Sequence, residues 1–196
     1  MNLAKTLLRL VLGQRLPTYD GTLEVTGIEH AVRIRRDGYG IPTIEAETDE
    51  DVWFGLGFCH GQDRAAQIEQ LIRVVRGTLA AWVGPEALGV DRLSRRIGFT
   101  RVSEKQWPVI NEEAKGWIDA YARGVNAGIH RGLSRRPHTF VLLGSQPTPF
   151  TPLDTLGIMR LQSFALSNNW TTQLARFKIL TEDGPDALRS LDASYP

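Results

Sequence analysis

Residues 31–70, AVRIRRDGYGIPTIEAETDEDVWFGLGFCHGQDRAAQIEQ, predict a β-hairpin that leads directly into a long helix. Val32 and Ile34 alternate with charged residues, and the alternation resumes at Ile44 after the turn. The sequence DGYG at residues 37–40 supplies the glycines that a tight turn needs. A two-stranded hairpin is marginally stable alone and normally belongs to a larger sheet. The hairpin therefore calls for further strands, which no other segment of the chain offers.

The helix that follows the hairpin is predicted to run from Asp49 to Arg76. Thr48 is a typical N-cap residue, and Asp51 stands three residues later, at the capping-box position. Gly77 is a natural C-terminal stop, because glycine adopts the left-handed conformation that ends many helices. Local signals therefore define both ends of this helix.

Cys59 and His60 raise the question of a catalytic cysteine–histidine pair, since Cys59 is the only cysteine in the chain. A thiolate nucleophile needs an imidazole within hydrogen-bonding distance. Neighbouring residues on a helix point about 100° apart, so these two side chains cannot face each other. We therefore expect Cys59 to be a small buried apolar residue, and the nucleophile of any enzyme built on this chain to lie elsewhere.

The rest of the chain is mostly helical, which with the hairpin makes the fold class α+β. Further helices are predicted at residues 78–83, 85–96, 108–131, 152–169 and 171–181. Residues 135–152 form a proline-rich connection with one short apolar run. The segment TLGIMRLQSFAL, residues 155–166, is apolar nearly all round, which is typical of a helix that is buried on more than one side. Together with the hairpin, this segment predicts a partner.

The composition excludes several classes of protein. Apolar residues make up 42% of the 196, and the net charge is +1, so nothing favours nucleic acid or an acidic membrane as a partner. The N-terminal segment, residues 1–16, is predicted to contain an amphipathic helix, Leu3–Leu12, that is too short to span a bilayer. It lacks a small-residue cleavage site, which favours the cytoplasm.

Several motifs together resemble the α chain of the penicillin acylase family. They are RD-x-x-G-I-P-x-I-x-A at residues 36–46, G-x-x-H-x-Q-D-R-x-x-Q at 57–67, YARGVNAGI at 121–129 and ALSNNW at 165–170. The resemblance extends from Pro17 to Leu180. It implies that residues 17–196 form one α-chain domain. In this family the domain is completed by a β chain, which gives the αββα sandwich of the N-terminal nucleophile hydrolases.

The function that the resemblance implies is the hydrolysis of an amide bond in an acylated substrate. Such a substrate is a β-lactam, an acyl-homoserine lactone or a lipopeptide. The nucleophile is the first serine of the β chain, which is cut from the same precursor, so this chain contributes no catalytic residue and no catalytic cofactor. The family is often periplasmic. The alternative is a non-catalytic helical interaction protein that retains the fold.

The same resemblance implies a structural role for the signature residues His60, Gln62, Asp63 and Arg64. A buried Asp–Arg pair with a glutamine satisfies backbone groups where a helix meets a sheet. Two contributions to the site are also implied, one to the acyl pocket and one to a structural calcium ion.

Ser163, Leu166 and Ser167 stand at the positions that line the acyl pocket in the family. The alternative is that they are core or surface residues of an ordinary helix. Gln173 replaces the glutamate that the α chain contributes to the calcium ion. A neutral amide oxygen coordinates calcium more weakly than a carboxylate. The alternative is a solvent-facing glutamine with no ion.

Overall fold

The computed structural model describes residue 13, residues 15–167 and residues 169–191. The predicted helix Leu3–Leu12 lies outside the described residues. The chain divides into two units, residues 1–158 and residues 159–196, and each is described by itself.

The elements follow one another along the chain as two strands and a series of helices, so the α+β prediction is confirmed. The strands are β1 (Arg33–Arg36) and β2 (Pro42–Glu45). The helices are α1 (Asp49–Arg76), α2 (Ala80–Val83), α3 (Leu88–Ile97), α4 (Phe99–Gln106), α5 (Glu112–Arg131), α6 (His138–Leu142), α7 (Pro152–Ser167), α8 (Trp170–Glu182) and α9 (Pro185–Arg189). Short 3₁₀ turns occupy Pro85–Ala87 and Trp107–Val109.

The hairpin pairs β1 with β2 in antiparallel register, with Ile34 opposite Ile44. Its turn is closed by the Asp37 carboxylate, which accepts the N–H groups of Tyr39 and Ile41, both at 2.9 Å. The half-buried face of the hairpin packs on α1, where Gly55 leaves room for it. A Cβ atom at Gly55 would lie only 2.7 Å from the Ile44 side chain.

Helix α1 begins and ends where the sequence predicts. The Thr48 hydroxyl accepts the N–H of Asp51 at 3.1 Å, and Gly77 ends the helix with φ of 63°. The capping-box prediction is only half right. The Asp51 carboxylate accepts the N–H groups of Glu29 and His30 at 2.9 and 3.1 Å, and so holds the chain that leads into the hairpin.

The centre of the first unit is the contact between α1 and α5, which approach closely because glycines on both helices face each other. A Cβ atom at Gly61 would lie 2.1 Å from the carbonyl oxygen of Val125, and one at Gly128 would lie 2.1 Å from that of Phe58. Apolar residues extend the core on either side of this contact, among them Ile68, Ile72, Ala122, Ile129, Phe140 and Phe150.

Several helix boundaries differ from the prediction. The helix predicted at 108–131 begins at Glu112, because Asn111 caps it and accepts the N–H of Ala114 at 2.8 Å. Helix α4 was not predicted, and α6 lies inside the proline-rich connection. The other predicted helices are present with ends shifted by a few residues.

In the second unit, many large apolar side chains of residues 159–191 are exposed. They include Met159, Leu166, Trp170, Leu174, Phe177, Leu180 and Leu191. Isolated exposed apolar residues are ordinary, but so many in about thirty residues are typical of an interaction surface. None of the helices formed by the described residues has the length and apolar character needed to cross a membrane.

Candidate functional site

Gln62 connects three separate segments of the first unit. Its side chain is buried, with 5% of its surface exposed. The amide nitrogen donates to the carbonyl oxygens of Thr18 at 2.7 Å and Gly132 at 2.9 Å, while the amide oxygen accepts from Arg36 at 2.9 Å. All of these groups would otherwise be costly to bury. Gln62 therefore fixes the chain before the hairpin, the hairpin itself and the end of α5 around α1.

The signature predicts a buried Asp–Arg pair; the pair that forms takes its arginine from the hairpin, and its Asp63 side chain is a quarter exposed. Arg36 donates to the Asp63 carboxylate at 2.8 Å and to the carbonyl oxygen of Gly40 at 3.0 Å. The guanidinium lies 4.6 Å from the centre of the Tyr19 ring, and the Tyr19 hydroxyl donates to Asp63 at 3.4 Å. Burial and the Asp63 charge raise the pKa of Tyr19. Arg64 instead occupies a kink in α1, where φ is −130°.

Cys59 and His60 do not form a catalytic pair. Only 1% of the Cys59 surface is exposed, and burial raises the pKa of its thiol, so the thiolate is disfavoured. The imidazole Nδ1 of His60 lies 2.9 Å from the hydroxyl oxygen of Tyr121 on α5. Partial burial against that helix lowers the pKa of His60. The expectation that Cys59 is a small buried residue is confirmed.

A cleft of about 820 Å³ opens beside this cluster, within the first unit. Its lining comes from α1, from residues 18–28, from β1 and from residues 45–47 at the end of β2. Its apolar lining includes Leu23, Val25, Ile28, Val32, Ile34, Phe54 and Phe58. Its polar and charged lining includes Asp20, Arg36, Glu45, Glu47 and Gln62.

The three predicted acyl-pocket residues lie on the last turns of α7 and are exposed. Leu166 exposes 78% of its surface. The Ser163 hydroxyl donates to the carbonyl oxygen of Met159 at 2.9 Å, and the Ser167 hydroxyl donates to that of Phe164 at 2.8 Å. Both hydroxyls are therefore satisfied within their own helix. The helix brings the three residues to neighbouring positions, and their contact with a substrate stays a prediction.

Gln173 lies on α8 with an exposed side chain. Among the described residues, no group of three or more histidine, cysteine, aspartate or glutamate side chains is placed to hold a metal ion. Calcium requires six to eight oxygen ligands, several of them carboxylates. The described residues of this chain do not fit a calcium site by themselves, because Gln173 offers a single neutral oxygen.

Four buried carboxylates hold irregular segments in place, and three of them, Glu69, Asp91 and Asp154, were not singled out from the sequence. Glu69 accepts both the backbone N–H and the hydroxyl of Thr148 at 2.7 Å. Asp91 accepts the N–H of Leu79 at 2.7 Å. Asp154 accepts a hydrogen bond from the Arg76 side chain. Asp51 accepts the backbone N–H of Glu29. Glu69 was detectable, because it follows Gln62 by seven residues on the apolar face of α1.

Comparison with known proteins places this architecture in a family. The family model described as Penicillin amidase matches residues 31–195. Penicillin acylase 2 proenzyme of Pseudomonas sp. strain SE83 is 36% identical over 170 residues, which are 87% of this chain and 22% of that protein. Acyl-homoserine lactone acylase QuiP of Pseudomonas aeruginosa is 33% identical over 181 residues, which are 92% of this chain and 21% of that protein.

Among solved structures, a thermostable penicillin G acylase from Alcaligenes faecalis is similar, with a TM-score of 0.64 at 25% sequence identity. The match covers 85% of this chain and 95% of that chain. The chain spans about a fifth of the length of the curated relatives that it matches. The family match covers most of the chain, hairpin and helices alike, and the chain belongs to the penicillin amidase family.

Proposed function

We propose that this chain is the α subunit of a heterodimeric acylase that hydrolyses the amide bond of an acylated substrate. The substrate is of the β-lactam, acyl-homoserine lactone or lipopeptide type. The nucleophile is the N-terminal serine of a β chain that is released from the same precursor. The α subunit shapes the acyl pocket and completes the folded enzyme.

The main support for the proposal is the matched share of two relatives, a solved acylase chain and an acylase proenzyme. The chain corresponds to 95% of one solved penicillin G acylase chain but to only 22% of a penicillin acylase proenzyme. A solved chain that is matched over 95% of its length, beside a proenzyme that is matched over 22%, is expected if precursors of this family are cut into separate chains. The remaining length of the precursor is then available for the nucleophile and for the strands that a two-stranded hairpin needs.

The chemistry of the described residues supports a nucleophile on another chain. The Cys59 thiol is buried and disfavoured as a thiolate, and His60 is engaged by Tyr121. Neither residue is placed to begin an acyl transfer, which needs an activated nucleophile beside a base. The exposed apolar residues of 159–191 support assembly, because such a surface is unfavourable in water.

In the proposed enzyme, Ser163, Leu166 and Ser167 border the acyl group. Both serine hydroxyls donate to carbonyl oxygens of α7. An apolar acyl chain packed against them would therefore not leave a hydroxyl donor without a hydrogen bond. Leu166 adds an apolar wall, and the small serines leave space beside it. The apolar wall and the free space beside it together favour a long apolar acyl chain over a polar one.

A calcium ion in the proposed enzyme would take its carboxylate ligands from the β chain. Gln173 would add one neutral oxygen, with less charge than the glutamate that family α chains supply. The ion would be structural, since amide hydrolysis by an N-terminal serine needs no metal. We therefore assign no step of the reaction to it.

The test is to read the downstream reading frame and to express the whole precursor. We expect two chains on a denaturing gel and a serine at the N-terminus of the second chain by mass spectrometry. The purified pair should hydrolyse a chromogenic acyl amide. Replacing that serine by alanine should abolish both cleavage and turnover.

A frame without a serine-led second chain, or a stable monomer that binds protein partners without hydrolysing acyl amides, would support the non-catalytic interaction protein instead. Amide hydrolysis by this chain alone would contradict the proposal that the nucleophile lies on a second chain.

A further inference from the structure

Although the net charge is only +1, positive charge is concentrated in part of the first unit. Residues 1–19 contain one lysine, two arginines and no acidic residue. Residues 120–153 contain four arginines and again no acidic residue. Such a separation of charge along a chain indicates an anionic partner when the basic stretches meet in the fold.

The two basic stretches do meet, at the end of α5. Pro17 forms an antiparallel bridge with Leu133. The Arg15 guanidinium donates to the carbonyl oxygen of Arg136 at 2.8 Å. Arg64 of α1 belongs to the same surface, because it lines a small groove of about 210 Å³ together with Arg15 and Leu133.

The surface that we call the basic patch consists of five arginines: Arg15, Arg64, Arg131, Arg135 and Arg136. Arg131 is the last residue of α5. Arg135 lies beside Gly13, where a Cβ atom would be 3.0 Å from the guanidinium. The basic patch is therefore assembled from three parts of the chain that are distant in sequence.

Carboxylates of the described residues do little to neutralise the basic patch. Asp63 is the acidic residue that lines the groove, and its carboxylate already accepts from Arg36 at 2.8 Å. The exposed Arg64, Arg131 and Arg135 form no ion pair with a described residue. Like charges held close together repel one another, so an anionic partner is favoured at this surface.

An exposed apolar residue beside the arginines favours a lipid surface over other polyanions. Leu16 exposes 62% of its surface, and its carbonyl oxygen accepts the Ser134 hydroxyl at 3.0 Å. At a membrane interface such a side chain enters the acyl region while the guanidinium groups stay among the headgroups. The phosphate backbone of a nucleic acid offers no such apolar region.

The sequence that leads into the basic patch has the same character. Residues 1–12 carry six leucine and valine residues, two basic residues and no acidic one. They precede Gly13, which lies beside Arg135. A single weak anchor binds lipid reversibly, and stable attachment takes a second signal such as a polybasic surface. The basic patch supplies that second signal.

We propose that the basic patch and residues 1–12 together dock this protein on a membrane surface that contains anionic phospholipids. The attachment is peripheral. The arginines bind lipid phosphate groups, while Leu16 and the apolar residues that precede it enter the interface. The proposal does not depend on the proposed function, since it concerns where the protein is held and not what it hydrolyses.

Co-sedimentation with vesicles tests the proposal, with the protein expressed from its complete reading frame. One vesicle contains phosphatidylglycerol and phosphatidylcholine in equal parts, and the other contains phosphatidylcholine alone. At about 0.1 M salt we expect the partition coefficient to be at least about tenfold higher on the anionic vesicle, and the excess should fall as salt screens the charges. Equal partition on the two vesicles, or none on either, overturns the proposal.

A charge reversal tests the role of the basic patch. Arg131→Glu with Arg135→Glu should lower partition on the anionic vesicle at least about tenfold, because two attractive charges become repulsive. The matched control is Arg92→Glu with Arg96→Glu on α3, also two exposed arginines four residues apart, which should change partition less than about threefold. Near-UV circular dichroism reports whether each variant is folded. Arg131→Gln with Arg135→Gln, with a smaller loss expected, replaces the reversed pair if that pair does not fold.

Deleting residues 1–12 separates the two signals. We expect weaker partition on both vesicles, with the preference for the anionic one retained, because the basic patch is still present. Equal losses in the patch variant and in its α3 control would overturn the proposal. So would tighter binding to a single-stranded oligonucleotide than to the anionic vesicle, lost in the same patch variant, because the partner would then be a nucleic acid.

Discussion

Arg36 donates to the Asp63 carboxylate across 2.8 Å and so joins the first strand of the hairpin to the middle of α1. The two side chains expose only 13% and 25% of their surfaces, so water screens the pair incompletely. The same arginine reaches Gly40, Gln62 and the Tyr19 ring. Removing its charge partner therefore disturbs the place where hairpin and helix meet.

We expect Asp63→Asn to destabilise the assembled enzyme by about 2 kcal/mol, because the Arg36 charge is left with neutral acceptors only. Urea unfolding and the fraction of processed precursor measure the effect. The control is Asp119→Asn, which removes an exposed partner of Arg123 and should cost less than about 1 kcal/mol. Equal losses in the two variants would argue against a special role for the pair.

Asp51 should make the enzyme sensitive to acid. Burial raises the pKa of this carboxyl, but hydrogen bonds from Glu29, Thr48 and His30 together outweigh burial and lower it. Unfolded aspartate takes up its proton at about pH 4, whereas the folded carboxylate resists protonation to lower pH. The unfolded state therefore binds more protons in this window, and stability contributed by Asp51 is full above it and is lost as the pH falls through it.

The matched variant is Asp51→Asn, which cannot titrate. We expect its urea midpoint to lie below that of the wild type at neutral pH, with the difference narrowing as the pH falls below about 4. If the difference between the two urea midpoints stays constant from neutral pH to acid, the charge of Asp51 contributes nothing to the stability of the fold.

The contact between α1 and α5 should not tolerate a methyl group. In Gly124→Ala the new Cβ atom would lie 2.0 Å from the carbonyl oxygen of Phe54, so the helices must move apart. We expect a loss of about 1–3 kcal/mol or more in urea unfolding. Gly89→Ala on α3 is the control, since nothing lies within 4 Å of its Cβ position, and it should stabilise the protein by up to about 1 kcal/mol. A neutral Gly124→Ala variant would contradict the close approach.

Gln173→Glu should strengthen calcium binding in the assembled enzyme. The substitution adds the negative charge that the amide lacks, and carboxylates bind calcium more tightly. We expect the dissociation constant, measured by isothermal titration calorimetry, to fall at least about tenfold. Gln67→Glu on α1 serves as the control for added charge. Unchanged binding in Gln173→Glu would place this residue outside the ion's surroundings.

Ser167→Phe should change the choice of acyl chain. A bulky ring beside Leu166 would narrow the proposed pocket, so kcat/KM for long acyl chains should fall at least about tenfold while short ones change little. An acyl-length series measures this for the wild type and the variant. Ser190→Phe, a matched change at an exposed serine outside α7, should leave the profile unaltered. A uniform change at all lengths would remove Ser167 from the pocket.

The bounds of α1 were predictable because Thr48 and Gly77 act on the backbone next to them. The start of α5 was misplaced, since Pro108 fits a first helical turn but Asn111 is the residue that caps the helix. Helix α4 begins directly after Gly98, whose left-handed conformation separates it from α3, and its sequence FTRVSEKQ has only two apolar residues, Phe99 and Val102. Such short helices are stabilised by packing rather than by their own residues.

The cluster around Gln62 was predictable in kind but not in its partners. The motif indicated that a glutamine, an aspartate and an arginine together satisfy buried groups. Gln62 and Asp63, which are adjacent in sequence, do belong to the cluster. Their partner Arg36 lies 26 and 27 residues away, on a strand whose position depends on the packing of the hairpin. Sequence neighbours could not reveal that Arg64 would be excluded, because the kink at that residue is a property of the folded helix.

The hairpin pairs with no further strand among the described residues, and this has a consequence for how such an enzyme must be made. A row of unpaired N–H and C=O groups is a template for any extended chain, so free copies would stack on one another and aggregate. In the proposed precursor the correct strand is tethered, and tethering sets its effective concentration on the order of millimolar. That exceeds the concentration of competing copies, and it delivers the two chains in equal numbers. The peptide linkage would thus act as an intramolecular chaperone, dispensable only after the hairpin has been completed by its further strands.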